Sequence, residues 1–177
     1  MLYGNPHLTG VEHTFDENEI IVTKTDLAGK ITYGNDTFYK MSGFSEKESL
    51  GKQHNIIRHP EMPRAAFKLV WDTLASGEEV FAYVNNRSKN GDHYWVFAHI
   101  TPSFNTSGKL VGYHSSRRKP DRRLIEDKII PLYRDLLATE KAASSPKEGM
   151  DNAVQAVLDL LGQTGMGFNE LMLSLGR

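Results

Sequence analysis

Three β-rich runs joined by short polar turns constrain the fold of this chain more than any other feature of its sequence. Residues 79–87, 92–103 and 109–117 are rich in Val, Phe, Tyr, Trp, Ile and Thr, residue types that fit a pleated, half-buried surface. The first two runs meet at Lys89-Asn90-Gly91-Asp92. Asn-Gly between such runs is a strong hairpin signal, because both residues tolerate positive φ. Asn105-Thr106-Ser107-Gly108 joins the second run to the third. Two tight turns in succession demand three antiparallel strands.

Upstream, Glu19–Lys24 is short and β-branched, and Lys30–Gly34 alternates. With Asp26-Leu27-Ala28-Gly29 between them, they read as another hairpin. Asn35 and Asp36 suit the start of a short helix through Met41, and Gly43 suits its end. Ser45-Glu46-Lys47-Glu48 is a capping box for a second short helix, with Gly51 beyond it. Residues 54–63 read as a connection, with Pro63 as the first residue of a longer helix. There Phe67, Val70, Trp71 and Leu74 follow the i, i+3, i+4, i+7 spacing of one buried face, and Gly77 ends the helix. The order is two strands, short helices, one longer helix and three strands. It predicts an α+β domain over residues 18–118: a five-stranded antiparallel sheet with helices on one side. Residues 1–18 form an N-terminal cap.

Residues 119–177 read as a helical extension. Asp121 caps a segment whose apolar positions are Ile125, Ile129, Leu132 and Leu136, and Pro131 must kink or restart it. A second helix begins near Ser144-Ser145-Pro146, with Val154, Val157, Leu158 and Leu161 as its apolar face. Gly162, Gly165 and Gly167 interrupt before residues 168–175. These faces are too apolar for a free tail, so they predict packing on the sheet domain or on a second copy.

Composition removes several functions. The 177 residues carry 21 Lys and Arg against 22 Asp and Glu, a net charge of -1. Nucleic-acid binders normally show a basic excess or stripe. The run Arg117-Arg118-Lys119 reads as a solvated strand end. There is no cysteine, which excludes disulfides, thiolate metal sites, covalent haem, a cysteine nucleophile and a flavin–cysteine photoadduct. No apolar run approaches the ~18 residues of a membrane span, and the N-terminus has no signal pattern. The expectation is a cytoplasmic protein with no direct membrane insertion, reaching a membrane only through a partner. Histidine pairs fall five apart (His54, His59) and six apart (His93, His99), not at the i, i+4 spacing of a helical metal pair. No nucleophile elbow, phosphate loop or kinase motif is present, so an enzyme is not expected.

Three separated motifs sharpen the reading: Asn35-Asp36-Thr37-Phe38; Pro60-Glu61-Met62-Pro63 within the run from His54; and Lys89-Asn90-Gly91-Asp92-His93-Tyr94-Trp95. In this order they resemble the PAS domains of bacterial aerotaxis receptors, over residues 18–118. The resemblance implies a stand-alone sensor of redox state or oxygen for energy taxis. It implies non-covalent FAD, with Arg58, His59, Glu61 and Asn86 at the flavin-associated positions. Two positions depart from the family pattern: Glu61 replaces the usual Asp, and Val80 stands where a flavin-stacking Trp is found. With no membrane span or signalling rod in the sequence, a chemoreceptor-type signalling partner is expected, and the apolar faces of the extension also fit a homodimer. Haem b, with His59 as its first candidate ligand, is the alternative cofactor; a cofactor-free dimerisation or scaffold module is the alternative function.

Each site residue has a plainer reading beside the functional one. Arg58 either binds a pyrophosphate or carboxylate bidentately or pairs with Glu61. His59 either hydrogen-bonds a ring system or caps backbone groups. Asn35 either reads the edge of a flavin or caps a helix. Asn86 stands in a strand, where Asn is depleted and needs a reason. Trp71 packs in the core or lines a cofactor pocket.

Overall fold

Each hairpin read from the sequence forms and supplies part of one sheet. The computed structural model describes Gly4 and residues 6–176. β1 (Ile21–Thr25) pairs with β2 (Ile31–Gly34), and β3 (Val80–Arg87), β4 (His93–Phe104) and β5 (Leu110–Arg118) form the meander. All pairings are antiparallel, in the order β2-β1-β5-β4-β3. Gly91 turns the β3–β4 hairpin at φ 97°, a conformation that costs glycine little.

The register sorts the side chains onto two faces. Thr23 pairs with Ser115, Ile21 with Arg117, Ala98 with Arg117 and with Ala82, and Asn86 with Tyr94. These residues share one face, which α1 (Asp36–Ser42), α2 (Glu46–Ser49) and α3 (Arg64–Ala75) accompany. Val70 and Leu74 of α3 pack on Val80 and Ala82. Phe38 of α1 packs with Ile21, Ile31, Tyr94 and Val96. Pro63 is the residue before α3, at ψ 137°, rather than its first helical residue, and it supplies no side-chain cap. The free N–H of Ala65 instead donates to the Glu140 carboxylate at 2.9 Å.

The second face carries Phe81, Tyr83, Trp95 and Phe97, and the C-terminal extension covers it. Asp121 caps α4 (Arg122–Leu124), which runs through a π-helical turn (Ile125–Ile129) into α5 (Ile130–Ala142). The wide turn ends just before Pro131, which lacks an N–H and restarts the helix. Ile125, Ile129, Leu136 and the unforeseen Tyr133 are buried against Tyr83 and Trp95, while Leu132 is half-buried. α6 (Pro146–Thr164) turns most of the expected stripe inward, with Val157 buried and Val154 and Leu161 packed on the same cluster, but its inward face is shifted away from Leu158. Gly149, Ala153 and Val157 are buried, whereas Leu158 is 47% exposed. Small residues face inward because α5 lies so close: a Cβ on Gly149 would sit 2.2 Å from the Glu140 carbonyl oxygen. Gly162 lies within α6, and Gly165 ends it. α7 (Phe168–Leu175) closes the β3 edge: Asn169 accepts from the Phe81 N–H and donates to the Glu79 carbonyl, both at 2.8 Å.

The segment before β1 is tied to the meander. His13 N–H donates to the His93 carbonyl, and His93 N–H to that of Val11. Phe15 is buried in the core with Phe38 and Tyr94. No helix among the described residues is long and apolar enough to cross a membrane.

Candidate functional site: a cavity between sheet and helix α3

The inner face of the sheet does not pack fully against α3. A cavity of about 90 Å³ remains, walled by Val70 and Leu74 of α3 and by Ala82, Val84, Ala98 and Ile100 of the sheet. Its β1–β5 side is polar: Thr23, Thr25, Ser115 and Arg117 line it, with His54 from the connection. Phe67, Trp71, His54 and Asn86 line both this cavity and an outer groove that also holds Arg58, Arg64 and Lys68. The inner space is smaller than the ~150 Å³ that accommodates benzene in a protein core. A larger ring therefore needs lining side chains to move.

Four polar atoms lining the cavity are buried without a hydrogen-bond partner among the described residues: Thr25 Oγ1, Asn86 Nδ2, Ser115 Oγ and Arg117 Nη1. Buried polar atoms are nearly always satisfied. Four exceptions around one cavity leave donors and acceptors there for a bound molecule to satisfy.

Arg117 was expected to be solvated. Arg118 and Lys119 are exposed, but Arg117 is 3% exposed, because alternation along β5 turns it inward beside Ser115. Its Nη2 donates to Thr23 Oγ1 at 2.5 Å and lies 2.6 Å from His54 Nε2. Burial lowers the Arg117 pKa to about 10, and the Tyr94 phenol partly opposes that. Burial and the Arg117 charge hold His54 at about 3, so its imidazole is neutral and Nε2 accepts.

The positions expected to serve a cofactor separate into two groups. Asn86, 4% exposed, and Trp71 line the cavity. Trp71 is not a core residue: it is 42% exposed and stands edge-on to Tyr113 at 5.5 Å. Arg58 lies in the outer groove, over the Phe67 ring at 4.4 Å, and bridges the backbone of Asn86. It does not pair with Glu61; burial lowers its pKa, opposed by Glu140. His59 is buried away from the cavity, 5.5 Å from the His93 ring, and its Nδ1 accepts from the Glu61 N–H at 3.3 Å. Glu61 is exposed. Asn35 is spent on the backbone: Oδ1 accepts from Phe38 and Val22, and Nδ2 donates to the Ile20 carbonyl. Val80 is fully buried on the cavity face of β3 among Val70, Leu74 and Ala82. Sequence reasoning missed Arg117, Ser115, Thr25 and His54. The alternation Tyr113, Ser115, Arg117 was the available signal.

Comparison with known proteins agrees with this architecture. Residues 31–117 match the PAS fold family. The chain is 42% identical over 135 residues to the aerotaxis receptor of Escherichia coli (strain K12), covering 76% of this chain and 26% of that receptor. It thus spans about a quarter of the relative's length. Among solved structures, the light-state Aureochrome1 LOV domain superposes with a TM-score of 0.56 at 16% identity, over 65% of this chain and 91% of that one. A light-oxygen-voltage domain studied with a flavin analogue gives 0.56 at 20% identity, over 66% and 87%. These likenesses to solved structures are likenesses of fold. The match to the PAS fold family and the 42% identity, on a β2-β1-β5-β4-β3 sheet with its helices, establish that this chain carries a PAS domain of the aerotaxis-receptor type.

Proposed function

We propose that the protein is a flavin-binding PAS sensor of redox state or oxygen, with FAD as its cofactor, that signals to a chemoreceptor-type partner and is not an enzyme. The observation that carries this reading is the cavity with four unpartnered polar atoms at its wall. Asn86, Thr25 and Ser115 fit the alternating donors and acceptors of a heterocycle edge. Val70, Leu74, Ala82 and Ile100 are apolar walls for its flat body once the lining side chains open the space. Arg58 and Arg64 in the adjoining groove suit a phosphate-bearing tail. The kinship with the aerotaxis receptor and the fold shared with a domain studied with a flavin analogue support the same cofactor. A bound flavin supplies reversible electron transfer.

This chain's own residues provide a route outward. Asn86 lies on β3, the strand that the extension grips. Tyr133 donates its hydroxyl to the Tyr83 carbonyl at 2.6 Å, and Asn169 holds the Phe81 N–H. A changed hydrogen bond at Asn86 shifts β3 against α5 and α7, biasing two packings of the extension. A cytoplasmic site of action, a homodimer and a membrane-bound receptor as partner complete the proposal.

The absorbance spectrum of the purified full chain, expressed with flavin supplied, tests it. Bands near ~450 nm are expected from the flavin cofactor. A spectrum with only aromatic absorption would sink the flavin reading, and a haem band would replace it with the haem alternative.

A further inference from the structure

Arg117 is the least compensated charge in the cavity. It is 3% exposed, and no carboxylate among the described residues pairs with it. Its neighbours are a hydroxyl, a neutral imidazole and the Tyr94 phenol, while Nη1 has no partner. A guanidinium buried this way is costly unless something negative faces it. Thr23 and His54 occupy Nη2, which leaves Nη1 for a ligand; Ser115 Oγ, two residues earlier on the same face of β5, is also unpartnered.

We propose that the β1–β5 end of the cavity is an anion-recognition subsite, where Arg117 Nη1 and Ser115 Oγ bind the anionic or imide edge of a flat heterocycle. This deepens the flavin reading, because it assumes the same cavity and assigns the ligand edge that faces β5. The subsite selects an edge that offers acceptors to the guanidinium, an anionic one most of all: a ring of the same shape whose imide edge is methylated and uncharged leaves the guanidinium uncompensated. It also orients the ring, since the opposite end offers only the amide of Asn86 and apolar walls.

The test uses the full chain freed of bound ligand, with urate and caffeine as probes. Both are flat purines, but urate is a monoanion with a free imide edge at neutral pH and caffeine is neutral and N-methylated. Urate is expected to raise the melting temperature of the wild type where caffeine does not. In Arg117→Met, urate should bind about tenfold more weakly or worse, the loss of one charged contact. The ligand-free variant should melt above wild type, because an uncompensated buried charge is gone. A purely structural arginine predicts the reverse. Arg117→Met melting below wild type or failing to fold would overturn the subsite, and so would equal binding of urate and caffeine. Arg117→Lys keeps the charge and should keep the preference for urate; its loss there also counts against the subsite. Protein that purifies without flavin yet prefers urate sinks the flavin reading alone. Flavin-loaded protein indifferent to Arg117 sinks the subsite alone.

Discussion

His54 and Arg117 meet at 2.6 Å on the inner face of the sheet, and only one of them can be charged at that distance. Burial and the guanidinium hold His54 at about 3 in the folded protein, against an ordinary value of 6.5. Below pH 6.5 the unfolded chain therefore takes up a proton that the folded chain refuses. Stability from this group is complete above 6.5 and is lost as pH falls toward about 3. His54→Gln removes the titration while keeping an acceptor for Arg117. Between about pH 7 and pH 5, urea melts should show wild type losing about 1–2 kcal/mol more than the variant. His59 and His114, also lowered by burial, titrate in both proteins and cancel. Parallel stability curves would refute the assignment. At this scale the sequence was legible where a local rule governs: of the two readings of Asn35, helix cap and flavin contact, the cap is the one its hydrogen bonds make. It was illegible at Arg117, where a charge run concealed the strand alternation. It was also illegible at His54, which a 3₁₀ turn (His54–Ile57) carries to the cavity from a connection without periodicity.

Elements whose pattern is set by their own period emerged nearly intact from the sequence. The three strands of the meander, α1 and the start of α6 lie within a residue or two of their expected ends. What did not emerge was which way each helix faces, since this depends on a partner's shape. Trp71 shares the spacing of Val70 and Leu74, yet it stands out at the groove. Leu158 gave way to Ala153 and Gly149 because α5 crosses too closely for large side chains. That crossing gives a direct test. A Cβ at Gly149 would lie 2.2 Å from the Glu140 carbonyl oxygen, so α6 must move away from α5. In a free helix, Gly→Ala stabilises by about 1 kcal/mol. Here Gly149→Ala should instead destabilise by about 1–3 kcal/mol, the usual cost of overpacking. A lower urea midpoint at an unchanged denaturation slope would match this. A midpoint equal to or above wild type would mean that the helices do not meet so closely.

Across the whole molecule, the extension and the PAS domain share one interior. Leu124, Ile125, Ile129 and Tyr133 are buried in the same cluster as Tyr83 and Trp95 of the sheet and Met62, Ala65 and Ala66 around the start of α3. Polar contacts follow the same seam: Glu140 caps α3, Tyr133 donates to Tyr83, Asn169 grips the β3 edge, and Arg122 pairs with Glu12 at 2.6 Å. The amphipathic faces announced that the extension must pack somewhere. Which surface it covers was not legible, because a second copy would bury the same stripes. Truncation after Lys119 separates the seam from a mere tail. It leaves Trp95, Tyr83, Phe81 and Phe97 without their cover, and an exposed aromatic patch of this kind drives association. It also frees the Phe81 N–H and the Ala65 N–H, worth about 0.5–2 kcal/mol for a lost helix cap alone. The truncated chain should melt at a lower temperature than the full chain and form larger species than the full chain in light scattering. A truncation with the full chain's oligomeric state and melting temperature would mean that the extension contributes nothing to the domain, and the β3 route from cavity to helices would fall with it.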